Sequence, residues 1–345
     1  MEKNRKVAII VWDMGQIGGI ATRAMETKRA LDWAGIKNDI IILTDKERPY
    51  LIRQARIETR GGSFTIQGVE LSVKKKNILK TLNFLDKNYD ILFHTTACIH
   101  DNQTAWLLVY ALKKRQVVVI SDIYWNDFYP YFDEAKKYID KIYATNQAVK
   151  NYLEKEKGIK SEILIHPFEF NKEFQKKEQK RDVIWASQWR NWKGIKYFVE
   201  KGGGINGDLI LFGGGREYYN LGGRLPKNAK YLGFKEPVRV IEAYQRGMVA
   251  VDLTGQSRKY WGHYNRTTIE PMFWKCVMAA NEKLIEPYSF IPKAMVLAVN
   301  KDNFVDRINE MMDNKREWEA LTERAFKWAI NYFDYKKVVE QVVKK

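Results

Sequence analysis

The sequence predicts an α/β protein made of two domains, each a parallel sheet covered by helices. Three observations carry that expectation. Apolar β runs alternate with amphipathic stretches in the first half of the 345 residues. A charged stretch almost without aliphatic residues, "NKEFQKKEQKR" at 171–181, follows. The alternation then restarts. Two βα series joined by one linker imply two Rossmann-like domains facing across a cleft.

The first element, "VAIIVW" at 7–12, is apolar on both faces and fits a buried parallel strand. Gly15, Gly18 and Gly19 form a turn into a helix whose apolar positions include Ala21, Met25, Ala30, Leu31 and Trp33. Strand, glycine loop and helix is the form of a phosphate cradle, because N–H groups at a helix start favour anions. The G-x-G-x-x-G fingerprint and the P-loop lysine pattern are both absent, so a plain tight turn remains an alternative. Further strands are expected at 39–43, 90–94, 117–120, 139–144 and 162–165, with an alternating strand or hairpin at 64–73. Helices are expected at 77–85, 103–114 and 146–155. In the second half, strands fall at 182–186, 209–212, 230–234, 249–253 and 277–280, and helices at 194–200, 237–246 and 267–276. Residues 289–345 read as mostly helical.

Composition narrows the class. The apolar share of 45% is that of a globular chain, and the net charge of +17 favours an anionic partner or else reflects a lysine-rich solvated surface. Cys98 and Cys276 lie far apart without metal-ligand spacing, which fits a reducing, cytoplasmic compartment. No apolar run approaches the length of a membrane helix, and the N-terminal apolar run is too brief for a signal peptide. Basic and aromatic residues interleave in "SQWRNWKG" and "SRKYWGHYNR", and "DIYWNDFYPYF" adds rings, among them Trp125. Such stretches suit phosphates and stacked bases, and equally suit sugars.

Six stretches, in order, resemble the GT-B glycosyltransferases, in particular their retaining family four. They are "GQIGGIATRAMETKRALDWAGIKNDIIILTD", "YATNQAVKNYLEKEKGIKSEILIHPFEF", "DVIWASQWRNWKG", "LILFGGG", "AKYLGFKEPVRVIEAYQRGMVAVDLT" and "YNRTTIEPMFWKCVMAA". The resemblance implies a nucleotide-sugar donor, most simply a UDP-sugar, with no obligatory metal. Fixed positive charge would stabilise the diphosphate leaving group instead. It places Lys193 at the diphosphate, with Arg190 substituting for the family's arginine, whose position holds Gln188. Glu270 corresponds to the second acidic residue of the family's paired motif, which binds the donor ribose. Gly262 stands where the first would be. Asn265, Arg266, Thr267 and the glycines Gly213, Gly214 and Gly215 complete the donor set, opposite Gly15, Gly18 and Gly19. Asp122 falls at or beside the family's sugar-contacting histidine and could take the acceptor's proton. Arg23, His100, Trp125 and Asp127 are assigned to the acceptor side; His94, at a strand end, is a further candidate or a structural hydrogen-bonder.

The implied domains are an acceptor domain at 1–170, the linker at 171–181, a nucleotide-sugar domain at 182–325, and a helix at 326–345 that crosses back to the first domain. A narrower resemblance is to the bacteriophage DNA glucosyltransferases that modify hydroxymethylated cytosine, carried by Trp192 before Lys193 and Thr267 before Glu270. It implies DNA as acceptor and a host-cytoplasmic, monomeric enzyme. A glycan or lipid-linked acceptor at an anionic membrane surface is the alternative, and a catalytically silent GT-B binding protein is a third reading.

Overall fold

The computed structural model describes residues 5–12, 18–47, 49–58, 65–95, 112, 114–120, 136–165, 178–187, 189–214, 221, 224–235, 237–255, 266–286 and 289–344. The chain divides into two compact units, Met1–Glu169 with Phe333–Lys345, and Phe170–Tyr332.

The first unit holds β1 (Val7–Trp12), α1 (Gly18–Trp33), β2 (Asn38–Thr44), β3 (Leu51–Glu58), β4 (Thr65–Ser72), α2 (Ile78–Asn88), β5 (Ile91–His94), β6 (Arg115–Ile120), β7 (Lys141–Ala144), α3 (Gln147–Lys157) and β8 (Glu162–Ile163). Its sheet runs β3-β4-β2-β1-β5-β6-β7-β8, parallel except for the outer pair β3 and β4. Strand β3 is absent from the sequence reading, and the helix expected at 103–114 lies almost entirely outside the described residues. The period-two geometry of a strand explains the core. Ala8 and Ile10 of β1 face a cluster with Leu85, Val149 and Leu153 from α2 and α3. Val7, Ile9 and Val11 face the other way, onto Ala24, Ala30 and Leu31 of α1. The C-terminal helix α9 (Tyr335–Val343) completes that second layer with Val338, Val339 and Val342.

The second unit holds β9 (Lys180–Ala186), α4 (Ile195–Lys201), β10 (Asp208–Phe212), β11 (Ala229–Gly233), α5 (Pro237–Arg246), β12 (Gly247–Asp252), α6 (Arg266–Ile269), β13 (Val277–Asn281), β14 (Leu297–Val299), α7 (Phe304–Asp313) and α8 (Lys315–Tyr332). Its sheet is wholly parallel, in the order β11-β10-β9-β12-β13-β14. Strand β9 begins at Lys180, inside the stretch expected to be linker. The expected helix at 267–276 is one α turn followed by a 3-10 segment, Glu270–Trp274, because Pro271 cannot donate the hydrogen bond that would continue it. Ring packing anchors the core here. Trp185 stacks on Phe198 of α4 at 5.3 Å, and Phe198 meets Phe304 of α7 at 6.0 Å. Among the described residues, no helix is long and apolar enough to cross a membrane.

Candidate functional site

In the second sheet the strand order reverses between β9 and β12. Connections leave the carboxyl ends of these neighbours in opposite directions, and the crevice between them is where open α/β sheets bind ligands.

The loop leaving β9 is fixed from one side by Trp189. Its indole is buried, and Nε1 donates to Phe212 O at 3.1 Å. Its backbone N–H donates to Gly214 O at 2.9 Å. Tyr231 packs edge-on against the indole at 5.0 Å and donates its hydroxyl to Gly213 O at 3.0 Å. Gly213 and Gly214 are thereby held at the end of β10. The loop then makes a single 3-10 turn, Asn191–Lys193, closed by Gly194. Gly194 has φ +84°, and a Cβ there would lie 2.6 Å from Leu253 Cβ. A glycine is required for the turn to reach the end of β12.

That close approach buries Lys193, which is 7% exposed. Its Nζ donates to Ser187 Oγ at 2.9 Å and lies 5.0 Å from the Trp192 ring centroid. Burial pulls its pKa from 10.5 down to about 8; the negative charge of Asp252 pushes it up and Arg190 pushes it further down. At neutral pH the side chain is still mainly an ammonium, and a poorly hydrated one.

Strand β12 contributes Asp252, which is 3% exposed. Oδ1 accepts from Thr254 N at 2.9 Å, and Oδ2 accepts from Thr268 Oγ1 at 2.5 Å. Thr268 lies in α6, so Asp252 ties the strand end to the turn that presents Glu270. Glu270 is buried, and its Oε1 accepts from Arg266 Nε at 3.2 Å. The neighbouring Thr267 Oγ1 is buried and has no hydrogen-bond partner among the described residues. Tyr244 of α5 closes the back. Burial, then the charges of Glu270, Cys276 and Asp252, hold its hydroxyl pKa well above 10, so it stays a neutral phenol.

The structure therefore gathers Lys193, Glu270, Arg266, Thr267, Gly213 and Gly214 at one edge of one sheet, with Arg190 exposed in the same loop. Asp252 and Ser187 join them, although the sequence pattern singles out neither. In the first unit, Gly18 and Gly19 are the first two residues of α1. Arg23 Nη1 donates to Thr95 O at 2.6 Å, tying α1 to the end of β5. His94 is buried with Nε2 3.1 Å from Gln116 Oε1. Burial pulls its pKa down to about 4 against the hydrogen bond that Gln116 Oε1 accepts, leaving a neutral ring in a structural contact. Gly15, His100, Asp122, Trp125, Asp127, Gln188, Gly215 and Asn265 lie outside the described residues. Among the described residues, no cluster of histidine, cysteine, aspartate or glutamate could hold a metal ion.

No protein-family model and no curated protein sequence matches the chain. Solved structures do match its fold from end to end. An alpha-glucosyltransferase in complex with UDP and a 13-mer DNA containing a HMU base superposes with a TM-score of 0.70 at 13% identity, covering 99% of this chain and 100% of the other. The same kind of enzyme with UDP-glucose and DNA containing an abasic site gives 0.70 at 12% identity, with coverage of 99% and 100%. Anabaena HepE in complex with UDP and glucose gives 0.65 at 12% identity, with coverage of 99% and 98%. The architecture is thus that of the GT-B glycosyltransferases.

Proposed function

We propose that the protein is a glycosyltransferase that moves a sugar from a UDP-sugar, most simply UDP-glucose, to an acceptor hydroxyl. The observation that carries this reading is a buried ammonium at the switch point of a fold shared with proteins crystallised with UDP or UDP-glucose.

Transfer breaks the bond between the anomeric carbon and the β-phosphate oxygen, and negative charge grows on the departing UDP. Lys193 would meet that charge from a site where water screens little, so its attraction is worth more than at the surface. Arg190 would meet the diphosphate from the solvent side. Glu270, with Oε1 held by Arg266, would present its other oxygen to the ribose hydroxyls. Thr267 Oγ1, which has no hydrogen-bond partner among the described residues, would donate to a phosphate. Positive charge in these places makes a metal unnecessary to the proposal. The acceptor hydroxyl forms the new bond to the anomeric carbon and releases its proton, for which Asp122 is the proposed base. Retention of anomeric configuration is part of the proposal.

For the acceptor we propose a hydroxymethylated base in DNA. The net charge of +17 and the interleaved basic and aromatic stretches support it, as does a neighbour crystallised with DNA. The test is incubation with nucleotide sugars and with hydroxymethylated or unmodified duplex DNA, followed by mass spectrometry of the nucleosides. A hexose added only to the hydroxymethylated base is expected. Donor turnover with transfer to a lipid or glycan instead would move the acceptor to a membrane surface. Failure to turn over any nucleotide sugar would leave a silent binding protein.

A further inference from the structure

We infer that Asp252 is the positioning residue of the donor site. Its buried carboxylate faces the loop that carries Lys193 as that ammonium's countercharge, and the same carboxylate latches the Arg266–Glu270 turn onto β12 through Thr268. This rests on the donor reading above and assigns a role to a residue that the resemblance does not.

The geometry comes first. Asp252 is the last residue of β12, paired in register with Ala280 of β13. Its carboxylate spans two segments: Thr254 N–H in the loop that follows, and Thr268 Oγ1 sixteen residues later. A buried carboxylate is stable only where charge or several donors compensate for lost hydration. The Lys193 ammonium supplies charge: Gly194 rests on Leu253, so the loop carrying Lys193 packs against the strand end carrying Asp252. Strand pairing cannot explain a charged residue here, because an uncharged side chain would serve β12 equally well. A requirement for an ammonium in a buried position does explain it. Without a countercharge, burial and Arg190 would together drive Lys193 towards the neutral amine, which has nothing to offer a diphosphate.

Among the described residues, further ionisable groups act on this cluster. Arg190 lies on the same loop as Lys193. Tyr244 reaches in from α5, Arg266 and Glu270 from the latched turn, and Cys276 from the segment entering β13. Of these, Tyr244 stays neutral, its hydroxyl pKa raised by burial. Burial brings the Lys193 midpoint to about 8, within the range of the titration.

The experiment compares UDP binding by calorimetry from pH 6 to 9.5 in the wild type, Asp252→Asn and Thr268→Val, alongside the NMR titration of 13Cε-labelled lysine. Asparagine keeps the shape and the acceptor for Thr254, and removes the charge. In the wild type, UDP affinity should fall as pH rises through about 8. In Asp252→Asn affinity should be about threefold weaker at pH 7.5 and about tenfold weaker at pH 9.5, as the fall begins about one pH unit lower, together with the Lys193 midpoint. Thr268→Val should weaken binding with no movement of either midpoint, because it breaks the latch and leaves the charge. If Asp252→Asn binds UDP as the wild type does, with an unmoved Lys193 midpoint, the inference is wrong and the donor site stands. If the wild type binds no UDP at any pH, the donor site is wrong and takes the inference with it.

Discussion

Lys193 is the residue on which the site turns. Burying an ammonium costs stability, and the protein keeps it where an apolar side chain would pack more cheaply. A pKa lowered from 10.5 to about 8 corresponds to roughly 3 kcal/mol of disfavoured charge in the folded state. The sign follows from proton counting. Between pH 8 and 10.5 the unfolded chain holds the lysine proton and the folded chain has lost it, so stability rises with pH there. Denaturation of the wild type and Lys193→Met at pH 8 and pH 10 should show that rise in the wild type alone. Equal pH dependence in both would remove the buried ammonium from the account. Lys193→Ala should also weaken UDP by about 2 kcal/mol or more, the cost of losing a charge-assisted contact, measurable by calorimetry. The lysine was visible in sequence because it stands in a loop just before a helix, in a stretch that resembles the family's phosphate motif. Asp252 was not, because "GMVAVD" reads as a strand ending in a polar residue, and its partner Thr268 is distant in the chain.

At the scale of elements, close approach decides what is possible. Gly194 lets the β9 loop rest on Leu253, and an alanine there meets both a positive φ and a steric overlap. Gly194→Ala should cost about 1–3 kcal/mol in urea denaturation and should weaken UDP as well, since Lys193 moves with the loop. The C-terminal helix α9 is held by polar contacts as much as by its valines. Gln341 accepts from Ile165 N at 3.0 Å and donates to Ile163 O at 3.2 Å. Arg115 Nη1 donates to Val343 O at 2.7 Å, and its Nη2 donates to Lys344 O. Gln341→Ala should therefore destabilise the first unit by about 1–3 kcal/mol, because Ile165 N–H and Ile163 O lose their side-chain partner. UDP affinity measured on the same protein should stay unchanged. The central parallel strands were legible because both their faces are buried and their runs are continuously apolar. Strand β3 was not. It is an edge strand carrying Arg53 and Arg56, and its pairing with β4 shifts register between Ile52 and Ala55 around Gln54, which has φ +61°. A bulge of that kind breaks the alternation by which a strand is recognised. The turn holding Glu270 reads as helix from its apolar spacing, and Pro271 ends that helix after one turn.

For the whole molecule, the sequence carried the architecture further than the site. Two restarted βα patterns and a charged break suffice for two sheets. Which side chains converge depends on strand order, and strand order is not written in local periodicity. The positive charge also acts at this scale. If DNA is the acceptor, binding to duplex should weaken steeply as salt rises, with a log–log slope near −0.9 for each phosphate contact. Titrations at several salt concentrations measure it, and a salt-independent affinity would contradict a DNA partner. The central claim, that a UDP-sugar is held at the carboxyl edge of the second sheet where β9 and β12 diverge, has a direct measurement. Hydrogen–deuterium exchange with and without UDP should show new protection in peptides covering 187–194, 252–255 and 266–270. Binding of UDP with no protection in those segments, or with protection confined to the first unit, would contradict it.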